Sequence, residues 1–116
     1  YYFMLSMKEI DCVFKALMQL NLGYRLGYAG SYARGQANEK SDLDIIVSGK
    51  GELSGEDYFK LYDALNKEIK IKFDIVDLAA LKEDDDKMDR MLLDMGLAVN
   101  NSSAYKTIEK ETVWMN

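Results

Sequence analysis

Asp42 and Asp44 stand at i and i+2 directly ahead of the apolar run Ile45-Ile46-Val47, and ten residues lie between Ser31 of the pair Gly30-Ser31 and Asp42. In a strand, residues two apart point to the same face, with Cα atoms about 6.5–7 Å apart. Two carboxylates so placed can hold one Mg²⁺ together or reach two ions lying between them. Magnesium favours a few carboxylate oxygens, completed by water and substrate phosphates. A third acid is wanted, and Asp74, flanked by Phe73 and Ile75, is placed to supply it. A charged residue in the middle of an apolar strand needs a reason to be there. Asp77 is the weaker candidate, because an acid near a strand end is easily solvated. On the other side, Gly30 lets backbone come close, and Ser31 offers a hydroxyl and an N–H at the start of a helical turn, a natural anion site. Arg34, one turn on, can direct its guanidinium at a phosphate or form a structural salt bridge; both readings stand. A phosphate cradle facing an acidic edge fits in-line attack at the α-phosphorus of a nucleoside triphosphate, with pyrophosphate leaving.

Composition narrows the alternatives. The 116 residues include no histidine, which removes Ser-His-Asp triads, Cys-His dyads and His-ligated zinc. Catalysis has to run on carboxylates, metals and phosphate-binding groups. The formal net charge of −5 argues against a generic nucleic-acid binder, which needs a basic face. No stretch approaches the roughly 18 apolar residues of a bilayer span. The single Cys12 cannot form an intrachain disulfide, so a reducing, cytoplasmic setting is expected. Tyr1 to Leu5 is too short for a signal peptide's apolar region and reads as a first strand or as an expression remnant. Length implies one domain over residues 1–116.

The elements that must position these groups follow from periodicity. Ile10, Val13, Phe14, Leu17 and Met18 form one apolar face and predict a helix over Lys8–Leu20, ended by Asn21-Leu22-Gly23. Tyr24–Ala29 is a strand entering the Gly30-Ser31 turn, and Ser31 caps a single helical turn that stops at Gly35. Gln36–Ser41 is a loop, Leu43–Val47 a buried strand and Ser48–Gly51 a turn. Ser54 caps a helix with Glu56 and Asp57 in its first turn and a buried stripe of Tyr58, Leu61, Tyr62, Leu65 and Ile69. Ile71–Leu78 is a third strand. Asp84–Met95 reads as a helix closed by Gly96, with Asp84-Asp85-Asp86 as its charged first turn. Met88, Met91, Leu92 and Met95 lie on one side of it, as core filler or as a contact face. Ser103 caps a last helix carrying Tyr105, Ile108 and Val113. Cys12 reads as inert packing, and Trp114, with Tyr1 to Phe3, as either a cover for the core or an exposed apolar interface. The fold class is α/β (α+β): a small mixed sheet flanked by helices.

The run Gly30-Ser-Tyr-Ala-Arg-Gly35, then Ser41-Asp-Leu-Asp-Ile-Ile-Val47, resembles the signature of the DNA polymerase β nucleotidyltransferase superfamily, and Phe73-Asp-Ile-Val-Asp-Leu78 resembles its third-carboxylate strand. From Tyr24 to Leu78 the chain looks like the minimal nucleotidyltransferases, which hold little beyond this core. The resemblance implies that Gly30 and Ser31 hold the triphosphate of ATP, with Arg34 at a motif position of less defined role. It implies that Asp42, Asp44 and Asp74 bind two Mg²⁺ ions and carry catalysis. It further implies a partner: a HEPN-domain toxin, AMP passing from ATP to one of its tyrosines, with this chain as the antitoxin. No stable nucleic-acid or membrane contact is expected, and homo- or hetero-oligomers are both open. Two other readings are an antitoxin that neutralises its partner by binding alone and an enzyme that nucleotidylates a small molecule, as with aminoglycosides.

Overall fold

A computed structural model of the protein describes residues 4–49 and 51–116. The first helix, α1 (Met7–Met18), opens on a reciprocal cap: the Ser6 hydroxyl accepts the Glu9 N–H at 3.2 Å and the Glu9 carboxylate accepts the Ser6 N–H at 2.9 Å. Its apolar face buries Ile10, Val13, Phe14 and Leu17. Cys12 falls off that face and is exposed, not packed as its apolar neighbours suggest.

Strands β1 (Arg25–Ala29) and β2 (Leu43–Ser48) pair antiparallel, and β2 pairs parallel with β3 (Phe73–Asp77). Between β2 and β3 runs α2 (Gly55–Glu68), whose N-cap Ser54 accepts the Asp57 N–H at 3.1 Å. Alternation splits the sheet into two faces. Leu26, Tyr28, Leu43, Ile45 and Val47 join α1 and α2 in the larger core, while Ala29 and Ile46 face the other way, with Leu78. Both faces of β2 are therefore covered, which accounts for its unbroken Ile-Ile-Val. In α2, Leu61, Leu65 and Ile69 are buried as expected, but Tyr58 and Tyr62 are 44% and 42% exposed. Tyr62 leans on Phe73 of the edge strand, ring centres 5.3 Å apart, so the stripe runs out beyond the sheet.

The third strand is shorter than expected because Asp77 ends it. One Asp77 oxygen accepts the Ala79 N–H at 3.2 Å and the other the Leu53 N–H at 2.9 Å, making it the N-cap of α3 (Leu78–Asp94). The helix expected from Asp84 thus starts six residues sooner, and Asp84-Asp85-Asp86 lies inside it rather than in its first turn. Asp85 is buried and faces Lys106, whose Nζ also reaches Asp89 at 2.9 Å. Met88, Met91 and Met95 are 47–65% exposed, so they do not fill the core. Gly96, at φ +76°, closes the helix through bonds from its own N–H to Leu93 and from the Leu97 N–H to Leu92.

The chain ends in α4 (Ala104–Glu111), capped by Ser103, and β4 (Val113–Trp114). Tyr105, Ile108 and Trp114 pack on the smaller core beside Val76. Val113 does not extend the helix but pairs with Tyr28, and Trp114 pairs with Gly27. A Cβ at Gly27 would lie 2.6 Å from the Val113 carbonyl, so glycine is what admits this fourth strand. The sheet order is β3-β2-β1-β4. The opening residues Tyr1 to Phe3, and Lys50 of the Ser48–Gly51 turn, lie outside the described residues. Among those described, no helix is long and apolar enough to cross a membrane.

Candidate active site

Register brings the site together. Ala29 pairs with Asp44 across the antiparallel ladder, and Asp44 pairs with Asp74 across the parallel one. The end of β1, and hence Gly30, lies beside Asp44, and Asp44 beside Asp74, at strand spacings of about 4.8 Å. Asp44 and Asp74 sit on the sheet face that carries Ile46 and Val76, one residue pair beyond the α3–α4 cover. Asp42 and Asp74 are exposed and Asp44 is half-buried. Burial pushes the Asp44 carboxyl above the ordinary carboxylate range, and Asp74, Asp42 and Glu111 add to the effect by like-charge repulsion, which Arg34 partly offsets.

Gly30 adopts φ +75°, and a Cβ there would run into the Asp44 carboxylate. Two demands converge on this glycine: the left-handed backbone that starts the turn, and the space for Asp44. Beyond it the chain makes one helical turn, with the Arg34 N–H on the Gly30 carbonyl at 3.1 Å and the Gln36 N–H on the Ser31 carbonyl at 2.9 Å. Gly35, at φ +69°, ends it as expected. The N–H groups of Ser31, Tyr32 and Ala33 have no acceptor among the described residues. The turn is anchored by Tyr32, buried, whose hydroxyl accepts the Leu5 N–H at 3.1 Å.

The Gly30 N–H is not free. It donates to Glu111 Oε1 at 3.0 Å, and the same carboxylate pairs with Arg34 Nη1 at 3.0 Å. Arg34 therefore forms the structural salt bridge that its sequence position allowed. Its partner was not legible in the sequence, because Glu111 lies 81 residues beyond Gly30 at the end of a short helix and looks like any surface acid. Asp77, the weaker acid candidate, is occupied as a helix cap.

The donor set fits a hard divalent cation. Three carboxylates share one end of the sheet, their mutual repulsion at Asp44 only partly offset by Arg34, and oxygen donors of this kind suit Mg²⁺. Among the described residues no three acidic or cysteine side chains are gathered closely enough to enclose an ion by themselves. Magnesium commonly takes only one or two carboxylates and fills its remaining positions with water and substrate phosphates. Beside the acids opens a cleft of about 360 Å³, lined in part by Asp42, Asp74, Tyr62, Asn66, Lys70 and Lys72.

A family model described as polymerase beta, nucleotidyltransferase, matches residues 29–103, a span that holds Gly30, Ser31, Arg34 and the three aspartates. The protein adenylyltransferase MntA of Thermococcus cleftensis is 32% identical over 83 residues, covering 68% of this chain and 84% of that protein. A crystal structure of the toxin-antitoxin with AMP-PNP is similar at a TM-score of 0.49 and 26% identity, over 59% of this chain and 56% of that one. This chain therefore spans little more than half the length of that solved chain.

Proposed function

The chain belongs to the polymerase β nucleotidyltransferase family, and from that premise we propose that it transfers AMP from ATP to a hydroxyl of a partner protein. A nucleotide donor and a divalent metal are what this family's chemistry implies. The observation that carries the proposal is the lateral register of Ala29, Asp44 and Asp74 on neighbouring strands, which sets the turn that starts at Gly30 beside an acidic edge. The similarity to a protein adenylyltransferase supports ATP as donor and a protein as acceptor.

In this reading the N–H groups of Ser31 to Ala33 and the Ser31 hydroxyl receive the triphosphate. Asp42 and Asp44 would hold both metal ions, and Asp74 would join them at the catalytic one. Two Mg²⁺ ions bound there would offset the charge on the attacking and leaving oxygens. The acceptor hydroxyl comes from the cleft beside Asp74, which orients it and takes its proton. The oxygen attacks the α-phosphorus, the bond to the β-phosphate bridge breaks, and pyrophosphate leaves carrying that electron pair. The partner we propose is a HEPN-domain toxin with a tyrosine as acceptor, this chain being its antitoxin. The cleft suits such a group: Tyr62 and Phe73 offer aromatic contact beside Asp42 and Asp74.

The test is incubation of the purified chain with α-labelled ATP, Mg²⁺ and the protein encoded by the neighbouring gene, followed by intact mass of both. We expect one or more AMP units on the partner, absent with Asp42→Asn or Asp44→Asn. Full transfer by both variants would remove the assignment.

A further inference from the structure

Arg34 is held on two edges and open on the third. Its Nε donates to Gln36 Oε1 at 3.1 Å and its Nη1 to both oxygens of Glu111, at 3.3 and 3.0 Å, while Nη2 has no acceptor among the described residues. Glu111 is the more buried member of the pair, with its side chain 18% exposed against 47% for Arg34. It bridges both ends of the phosphate turn, through the Gly30 N–H and through Arg34.

Two roles are open to an anion in this place: a plug that the phosphates must displace, or a fixed strut. A plug needs a mobile tether. Glu111 has none, because Val113, two residues on, is paired with Tyr28 of the strand that leads into the turn. The helix behind it is fastened to α3 by Lys106, which bonds Asp89 and the Asn100 carbonyl and faces Asp85. The strut is thus built into the same sheet as the turn it supports. A guanidinium held at Nε and Nη1 presents its Nη2 N–H groups in one direction, so less freedom is lost when it meets a phosphate.

We propose that Glu111 is a positioning residue for nucleotide binding: by bridging Gly30 and Arg34 it sets the turn and aims the Nη2 edge of Arg34 at the nucleotide's phosphates. This makes α4 and β4 part of the working site, although the family match ends at residue 103. The inference rests on the nucleotidyltransferase reading of the site.

The experiment is titration of wild type, Glu111→Gln, Arg34→Ala and the double variant with a non-hydrolysable ATP analogue and Mg²⁺, alongside thermal unfolding. Glu111→Gln keeps volume and an acceptor for the Gly30 N–H, and loses only the charge that orients Arg34. Each single variant should bind about tenfold more weakly, about 1.4 kcal/mol. The double variant should be no weaker than the worse single one, because the two residues act as a unit. Glu111→Asp, which keeps the charge, should recover part of the loss. Unchanged affinity with a lowered Tm would reduce Glu111 to a structural role, tighter binding would make it a plug, and independent losses that multiply would uncouple it from Arg34. Each of these overturns the proposal. If Glu111→Gln does not fold, Gln36→Ala on an exposed side chain should weaken binding about threefold, and no change there would overturn it instead. A wild type that binds no nucleotide removes the functional reading and this inference together. A wild type that binds while Glu111 is indifferent removes the inference alone.

Discussion

Replacing Gly30 by alanine should separate a backbone effect from a contact effect at the centre of the site. Gly30 has φ +75°, and its added Cβ would meet the Asp44 carboxylate. Gly23 supplies the control: its φ is +85°, yet a Cβ there meets nothing within 4 Å. Holding an L-residue in the left-handed region costs roughly 1–2 kcal/mol at either position. With about 2 cal/mol/K of unfolding entropy per residue, a chain of 116 residues loses about 4 °C of Tm per kcal/mol, so each variant should melt about 4–8 °C lower. Only Gly30→Ala also forces Asp44 to turn away, and a displacement on the order of 1 Å in a catalytic group costs about a hundredfold in rate. The assay is thermal unfolding together with initial rates of AMP transfer, at a temperature where both variants are fully folded. Equal Tm losses with a rate loss confined to Gly30→Ala are expected. Comparable rates for the two variants, whether both low or both normal, would refute the reasoning that Gly30 is there to make room for Asp44.

Four further outcomes can be checked. Asp44→Asn should abolish transfer yet melt at or above wild type at neutral pH, because burial and its acidic neighbours keep the folded Asp44 protonated to higher pH than in the unfolded chain. Stability on that account falls as pH rises from the usual carboxylate value through Asp44's own; a Tm several degrees below wild type would contradict it. Mg²⁺ should raise the Tm of wild type and leave Asp44→Asn unmoved, which differential scanning would show. Lys106→Met should lower Tm more than Lys67→Met, since it strands the buried Asp85 while Lys67 serves only a surface pair; equal effects would mean that the Asp85–Lys106–Asp89 network does not hold α4. The Tyr105 phenol, raised to about 12 by its hydrogen bond to Glu109 and by burial, should ionise late in an absorbance titration, and Tyr105→Phe should remove that late step. Its contribution to stability is whole below pH 10 and fades between there and about 12, as the unfolded chain ionises first.

What could be read without coordinates was whatever depends on neighbours in the chain. The two-residue period of a strand puts Asp42 and Asp44 on one face. The helical period of Ile10, Val13, Phe14 and Leu17 marks the buried side of α1, and the glycines at 30, 35 and 96 mark reversals of the backbone. Ser54 and Ser103 cap their helices through bonds that span three residues. Where the pattern misled, a non-local partner decided. The run Ile71–Leu78 has strand character throughout, yet Asp77 bonds the Leu53 N–H from another loop, caps α3 and moves its start to Leu78. The Tyr58–Tyr62 and Met88–Met95 stripes have helical spacing, but spacing cannot say how far the sheet beneath extends, and both face solvent. Val113 and Trp114 are too few to announce a strand; only the open edge of β1 and the missing side chain at Gly27 make them one.

The chemistry divides along the same line. The types and spacing of Gly30, Ser31, Asp42, Asp44 and Asp74 were enough to indicate nucleotidyl transfer, since each short motif is a local object. That Asp74 lies beside Asp44 depends on a parallel pairing joined through α2, and its register is set by how Ile45, Ile75 and Leu65 share one core. The bridge from Glu111 to Gly30 and Arg34 depends on the packing of two terminal elements against the far edge of the sheet. Local sequence determines which groups are present and which way they point from their own element. Only the closing of the sheet and its helices determines which charges meet, because Coulomb forces and hydrogen bonds act over distances in space that a chain of this length can join in many ways.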